Sequence, residues 1–452
     1  MTSISLPSRP ELASVPVIGG AVAYLAALSW AMQRTSYDIW GGLIVLPVLL
    51  AVTLPLVTRQ ARRQGDIRLV RILQLAVLAK VVAGTVVRYV VIFGVYGTGD
   101  AQGYHGAGRT IAASLRSGSL AFDAGGGGEG TQAINVLTGV VYAVIGPTKL
   151  GGFFVFSWMA FLGLYLFFLA YRRALPQGDH HRYALLLFFL PTVLFWPSSL
   201  GKEAAMMLTL GVAVYGATLV LSPGRRGGFL ILALGLATTA LVRPHLSVLV
   251  FLALAGGYLL RRSPGPQGRV LTGAKVLGMA VLLLLGVLVA GRFQDFFNLD
   301  ELDTDSVNAL IENTADKSTG GESDFAAVSA AQQPWTLPQA ALAVLFRPFP
   351  FEANNAQALA TSLEGMALLV LFVWSARRVV ASLRSALLSP YIAFVVIYSL
   401  LYVVAFSTIS NFGILARQRS LVYPLVLVLL TLPAIHRDLR RRDRPTGAPL
   451  HP

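Results

Sequence analysis

A series of apolar runs, most of them close to 20 residues long, recurs along this chain and limits what it can fold into. A helical run of that length covers the roughly 30 Å of hydrocarbon in a bilayer. Twelve such runs can be marked, at about 15–33, 39–58, 70–96, 148–171, 183–198, 203–222, 227–243, 246–260, 273–291, 358–376, 386–407 and 420–436. Lipid offers no partner to an open backbone, so each run is expected as a helix. Composition agrees, since 55% of the 452 residues are hydrophobic and 13% charged, against about a quarter charged in soluble domains. The expected fold is all-α: a polytopic integral membrane protein of about 12 transmembrane helices, forming a single domain over residues 1–452.

The formal net charge of +15 is distributed in a pattern. Arg59, Arg62, Arg63, Arg68 and Arg71 follow the second run, Arg172, Arg173 and Arg182 the fourth, and Arg225 and Arg226 the sixth. Arg261, Arg262 and Arg269 follow the eighth, Arg377, Arg378 and Arg384 the tenth, and "HRDLRRRDR" the twelfth. Basic residues in every second loop mark the cytoplasmic side, which places both termini, and a tail of about 437–452, in the cytoplasm. Such arginines are anchors beside anionic lipid, and they argue against a nucleic-acid partner. The first run lacks a small-residue cleavage site and is expected to be retained. The chain has no cysteine, which excludes disulfides and thiolate chemistry. It carries no phosphate-loop or dinucleotide motif either, and no cofactor is expected.

The same alternation puts two long loops outside, at about 97–147 and 292–357. A transporter needs few residues beyond its spans, whereas an enzyme working on a membrane-delivered substrate needs a rim of loops at one face. In the first loop, "GTGDAQGYHGAGRTIAASLRSG" predicts a short surface helix with Tyr104, Gly108, Ile111 and Leu115 on one face. A glycine-rich stretch, "DAGGGGEGTQ", separates it from a second apolar helix, "AINVLTGVVYAVIGP". The second loop is acidic from Asp295 to Asp324, and continues as "QQPWTLPQAALAVLFRPFPFEANN", with aromatics suited to a lid, an acceptor platform or an interfacial belt.

Several charged residues interrupt apolar sequence where outward-facing turns are expected. They are Lys202 and Glu203 in "WPSSLGKEAAMM", Arg243 and His245 in "LVRPHLS", Arg347 in "LFRPFPFE", and Arg417 and Arg419 in "NFGILARQRS"; Arg88 lies two turns inside the third run. A charge in such a place costs about 2.5–3.5 kcal/mol on insertion scales, so it is expected to face a cavity. Clustered arginines and a lysine are what a lipid phosphate or diphosphate requires. Lys202 with Glu203 is also readable as a structural ion pair. Asp100, the only acidic residue between the third run and Asp123, is either a general base taking the proton of an incoming hydroxyl or the N-cap of the surface helix. Tyr104 and His105 are placed to orient an acceptor or a phosphate, or to line the interface. Asp100 with His105 is too small a ligand set for a metal, and none is expected.

An acidic residue outside an early span, two surface helices, a span ending in "YRRAL", paired short spans around "LPTVLFWPSSLGKEAA", and "LGLATTALVRPHLSVLVFLAL" together resemble the GT-C superfamily of membrane glycosyltransferases. The nearest group is the protein mannosyltransferase-like one, glycosyltransferase family 39 and its relatives. The resemblance covers roughly residues 70–260. It implies a polyprenyl-phosphate sugar donor, a glycan, lipid or protein acceptor outside the cytoplasmic membrane, and Asp100 as catalytic base. The chain departs from the pattern in that Asp100 follows the third span rather than the first and is followed by Ala101 instead of a second acid. Two other classes remain open: an O-antigen polymerase or ligase of cell-surface polysaccharide assembly, and a transporter or flippase for an anionic lipid-linked substrate. Charges at mid-span depth facing one path would favour transport, and charges gathered at one face would favour catalysis.

Overall fold

The computed structural model describes residues 11–432 apart from 98, 121, 123, 125, 223–226, 261–267 and most of 300–328. Arg225, Arg226, Arg261, Arg262, nearly all of the acidic stretch and the basic tail therefore lie outside the described residues.

The described elements are helices. In chain order they are α1 (Glu11–Arg34), α2 (Tyr37–Arg63), α3 (Ile67–Tyr96), α4 (Asp100–Arg116), α5 (Glu129–Ile145), α6 (Lys149–Ala174), α7 (His180–Phe189), α8 (Pro191–Phe195) and α9 (Lys202–Leu221). They continue as α10 (Gly228–Val242), α11 (Pro244–Leu259), α12 (Gly268–Phe297), α13 (Leu337–Phe346), α14 (Ala356–Trp374), α15 (Ala376–Ser385), α16 (Pro390–Phe406), α17 (Phe412–Leu421) and α18 (Tyr423–Leu430).

Each of the twelve apolar runs overlaps one of these helices, but fewer of them are continuous crossings. Among the described residues six helices are long and apolar enough to span a membrane, or eight if the bent pairs α15/α16 and α17/α18 each count as one. Among the described residues the structure thus shows six to eight candidate spans of the twelve expected, and α10 and α11 are shorter apolar helices. Proline is part of the reason, because it lacks an amide hydrogen and clashes with the preceding turn. Pro191 starts α8 after a break at Leu190, Pro244 starts α11, and Pro390 starts α16. At 15 and 16 residues, α10 and α11 are about 22 and 24 Å long.

Helices α6 and α9 form the centre, with 72% and 78% of their apolar windows buried, against 11% in α12 and 17% in α2 and α14. Glycine brings α6 and α9 together: a Cβ on Gly163 would lie 2.1 Å from the Met207 carbonyl oxygen. In lipid, where no hydrophobic force drives helices together, such close backbone approach supplies the packing. The outer helices turn large apolar side chains outward, among them Val52 and Leu56 on α2, Leu283 and Val287 on α12, and Val373 on α14.

The bundle has two chemically distinct ends. At one, His181 Nε2 meets Asp66 Oδ1 at 3.0 Å, Arg182 Nη2 donates to Ser375 Oγ at 2.7 Å, and Arg378 Nη1 donates to the Leu432 carbonyl at 3.4 Å. At the other, α4 and α5 form a hairpin in which Tyr104, Ile111 and Ala112 pack with Ile134, Thr138 and Tyr142, all buried. Arg292 Nη2 reaches Glu129 Oε2 at 2.6 Å, and the Phe325 amide donates to the Ser410 carbonyl at 2.8 Å, so both long insertions occupy this second end.

Candidate functional site

The site is assembled where five chain segments end or break. Helix α3 delivers Arg88 and Tyr96, and Gly97, at φ 70°, turns the chain toward α4. After α8, the turn at 196–201 carries Trp196 and Ser199 and leads into α9, whose first two residues are Lys202 and Glu203. Arg243 occupies the junction of α10 and α11. Asn411 caps α17 by accepting from the Ile414 amide at 3.1 Å, which fixes the helix that carries Arg417. Asn355 caps α14 in the same way, accepting from the Ala358 amide at 2.8 Å, and so positions Gln357.

Arg417 links the two carboxylates of the site. Its Nε donates to Glu203 Oε1 at 2.7 Å and its Nη2 to Asp100 Oδ2 at 3.0 Å. Arg243 Nη2 donates to the same Glu203 oxygen at 2.8 Å and its Nη1 to Gln418 Oε1. The two carboxylates differ in setting: the Glu203 side chain is 3% exposed and that of Asp100 64%. Arg88 lies against two rings, 4.5 Å from Phe195 and 4.7 Å from Trp196, and its buried Nε has no hydrogen-bond partner among the described residues. Lys202 shares the field of Asp100, Glu203, Arg243 and Arg417. Four cations thus face two carboxylates.

Asp100 is the first residue of α4, with Gly99 at the cap position, and its carboxylate turns to Arg417. The N-cap expectation is corrected accordingly: Gly99 holds the cap position, Asp100 lies one residue inside the helix, and no side-chain cap bond is made. Tyr104 is buried in α4 beside the cluster, and burial, reinforced by Asp100 and Glu203, pushes its hydroxyl up to about 12. It stays protonated at neutral pH.

Four of the residues expected to bind substrate lie apart from this cluster. His105 is buried, with Nδ1 2.8 Å from the Tyr142 hydroxyl and Nε2 3.7 Å from Asp38 Oδ1. His245 faces the Phe297 and Phe406 rings. Arg347 Nε donates to Glu352 at 3.0 Å, and its guanidinium lies over Phe325 and Phe412. Arg419 is fully buried and donates from Nη1 to the Arg347 carbonyl at 2.5 Å.

Two hollows meet at this cluster. A polar cavity of about 220 Å³ is lined by Arg88, Tyr96, Asp100, Trp196, Glu203 and Arg417, among others. An apolar groove of about 610 Å³ runs along α3, walled by Ala79, Ala83, Val87, Val91 and Val95, with Phe195 from α8 and Ala360 from α14. Tyr96, Trp196 and Gln357 belong to both. The α3 wall repeats every four residues, a period that drifts around an ordinary helix of 3.6 residues per turn. Here α3 has wider π-helical turns at Leu78–Gly84 and Val91–Tyr96, and they hold the small side chains on one face.

Sequence reasoning missed Phe195, Trp196, Gln357 and Gln418. The aromatic pair before Pro197 carried a signal, since an interrupted apolar run with bulky rings marks a helix break. The two glutamines carried none. Among the described residues no group of three histidine or carboxylate side chains converges as metal ligands would. Comparison of the chain with protein-family models, with curated proteins and with solved structures gives no match in any of the three.

Proposed function

We propose that this chain is a membrane glycosyltransferase that takes a sugar from a polyprenyl-phosphate donor and passes it to a hydroxyl acceptor at the outer face of the cytoplasmic membrane, as its GT-C-like pattern implies. The observation that carries the reading is the junction of a cation-lined cavity with a long apolar groove at Tyr96, Trp196 and Gln357. A ligand with a phosphate head and an isoprenoid tail fits that junction, with the phosphate beside Arg88 and Arg417 and the tail along α3. In the reaction, the acceptor oxygen bonds to the anomeric carbon, the bond from that carbon to the phosphate oxygen breaks with its electron pair, and Asp100 takes the acceptor proton. The departing phosphate monoester gains charge as the bond breaks, and Arg88 and Arg417, which line the cavity, stabilise it there. The cluster's position at helix ends supports catalysis over transport, for which charges along a central path would be the sign. A polymerase or ligase would use the same cations on a diphosphate carrier and would not need Asp100.

The test uses purified protein in nanodiscs. Arg88→Met and Arg417→Met should each weaken binding of polyprenyl phosphate by about 1.5–3 kcal/mol, the range for hydrogen bonds to charged groups. Asp100→Asn should bind the donor and slow transfer by about 10² to 10⁴. Unchanged affinity in both arginine variants would refute the phosphate site, and full transfer by Asp100→Asn would refute the base and favour the polymerase reading.

A further inference from the structure

Lys80 lies deep in α3, 13 residues from its start and 16 from its end, which is about 20 and 24 Å along the axis. Its side chain is fully buried, and among the described residues it forms no ion pair. A bare ammonium at that depth would be costly. Its Nζ instead donates to the Val193 carbonyl at 2.8 Å, to Ser198 Oγ at 2.8 Å and to the Leu194 carbonyl at 3.3 Å. An ammonium carries three protons, and there are three acceptors.

The acceptors are available because of local sequence. Four residues after Val193 stands Pro197, which has no amide hydrogen to give the Val193 carbonyl. The Ser198 amide, which would continue the helix to Leu194, turns to the Phe195 carbonyl at 3.3 Å. Ser198 Oγ in turn lies 2.6 Å from the Leu194 carbonyl and 3.2 Å from Ser157 Oγ, so the cage is cross-linked. Gly84 permits the approach: a Cβ there would stand 2.7 Å from the Leu194 oxygen. Carbonyls freed at a broken membrane helix, joined by serine hydroxyls, are the donor set with which such proteins hold monovalent cations.

We propose that Val193 O, Leu194 O and Ser198 Oγ form a monovalent-cation site whose resident occupant is the tethered ammonium of Lys80, and that shortening this side chain opens the site to free ammonium. The contacts of 2.8–3.3 Å suit an ammonium and are longer than the roughly 2.0–2.6 Å bonds of magnesium or calcium. The inference is independent of the proposed reaction. The site stiffens the segment 193–198, whose Phe195 walls the apolar groove and whose Trp196 walls both hollows.

The experiment compares thermal unfolding of full-length protein in nanodiscs in ammonium, potassium, sodium and N-methylglucamine chlorides at one ionic strength. Wild type should have the same Tm in all four. Lys80→Ala should melt lowest in N-methylglucamine and recover by several degrees, saturably, in ammonium, because a ligand that binds only the folded state raises its stability. Adding Ser198→Ala should abolish the recovery. A folded Lys80→Ala protein with one Tm in every salt would overturn the proposal. If Lys80→Ala cannot be purified, Lys80→Met decides: it fills the volume without charge and should melt well below wild type in all four salts. A wild-type Tm for it would show that Lys80 only fills space.

Discussion

Glu203→Gln removes one negative charge and almost no volume from the centre of the site. The native carboxylate is nearly fully buried and accepts charge-assisted bonds from Arg417 at 2.7 Å and Arg243 at 2.8 Å. The glutamine oxygen can still accept from both guanidiniums, and because these stay charged the bonds remain bonds to charged groups, of about 1.5–3 kcal/mol each. The loss lies in the missing negative charge. Removing one partner from a buried ion pair costs about 3–5 kcal/mol, because the remaining charge is left uncompensated. Asp100 still faces Arg417, which puts the expected loss near the lower figure, about 3 kcal/mol. Equilibrium unfolding in mixed micelles would measure it. Glu203→Leu should cost more, and adding Arg243→Leu should recover part of that cost, because the double variant orphans one guanidinium fewer. A loss below about 1 kcal/mol for Glu203→Gln, or no recovery in the double variant, would refute Glu203 as the carboxylate that holds the two arginines.

Burial, opposed by Asp38 and reinforced by Lys149 and Arg109, holds the His105 imidazole below the ordinary histidine range. As pH falls through about 6.5 the unfolded chain takes up this proton before the folded one, so stability is lost on acidification; His105→Gln should flatten that part of the unfolding profile, and an unchanged slope would refute the assignment. Ala360→Trp, placed in the apolar groove, should weaken binding of a long polyprenyl phosphate at least tenfold and leave a two-isoprene analogue unaffected; equal losses would remove the groove as a tail site. Cysteines introduced at 100 and 321 should react with an impermeant label outside intact cells and one at 440 should not; protection at 321 would overturn the assigned orientation.

Much of the site was legible because charge in apolar sequence is rare and must be compensated. Arg88, Asp100, Lys202, Glu203, Arg243 and Arg417 come from five stretches of the chain and gather at one end of the bundle. The same rule drew in Arg347, although the partner that engages it, Glu352, stands five residues away within the same "LFRPFPFE". Lys80 escaped notice for the opposite reason: two of its three acceptors are backbone carbonyls more than 110 residues distant, and carbonyls leave no trace in composition. Helix existence was legible from hydrophobic runs, but continuity was not. A proline near the end of an apolar run reads the same whether the helix bends, as between α15 and α16 at 112°, or merely starts there.

The unequal exposure of the two carboxylates gives Arg417 its place in the proposed chemistry. Its bond to Glu203 lies in a nearly closed setting, where losing a partner is expensive. Its bond to Asp100 lies at an open rim, where an ion pair contributes only about 0–1 kcal/mol. In the proposed reaction a phosphate entering the cavity would therefore displace Asp100 from Arg417 at little cost, while Glu203 would keep the guanidinium aimed. The carboxylate released by that exchange would then be free to accept a proton only when a donor is bound. Arg417→Lys would break this coupling, because a single ammonium on a flexible stem cannot hold Glu203 and a phosphate in the fixed directions of a guanidinium fork. That variant should keep part of its donor affinity and lose transfer nearly as fully as Asp100→Asn; transfer close to wild type would show that Asp100 needs no such release.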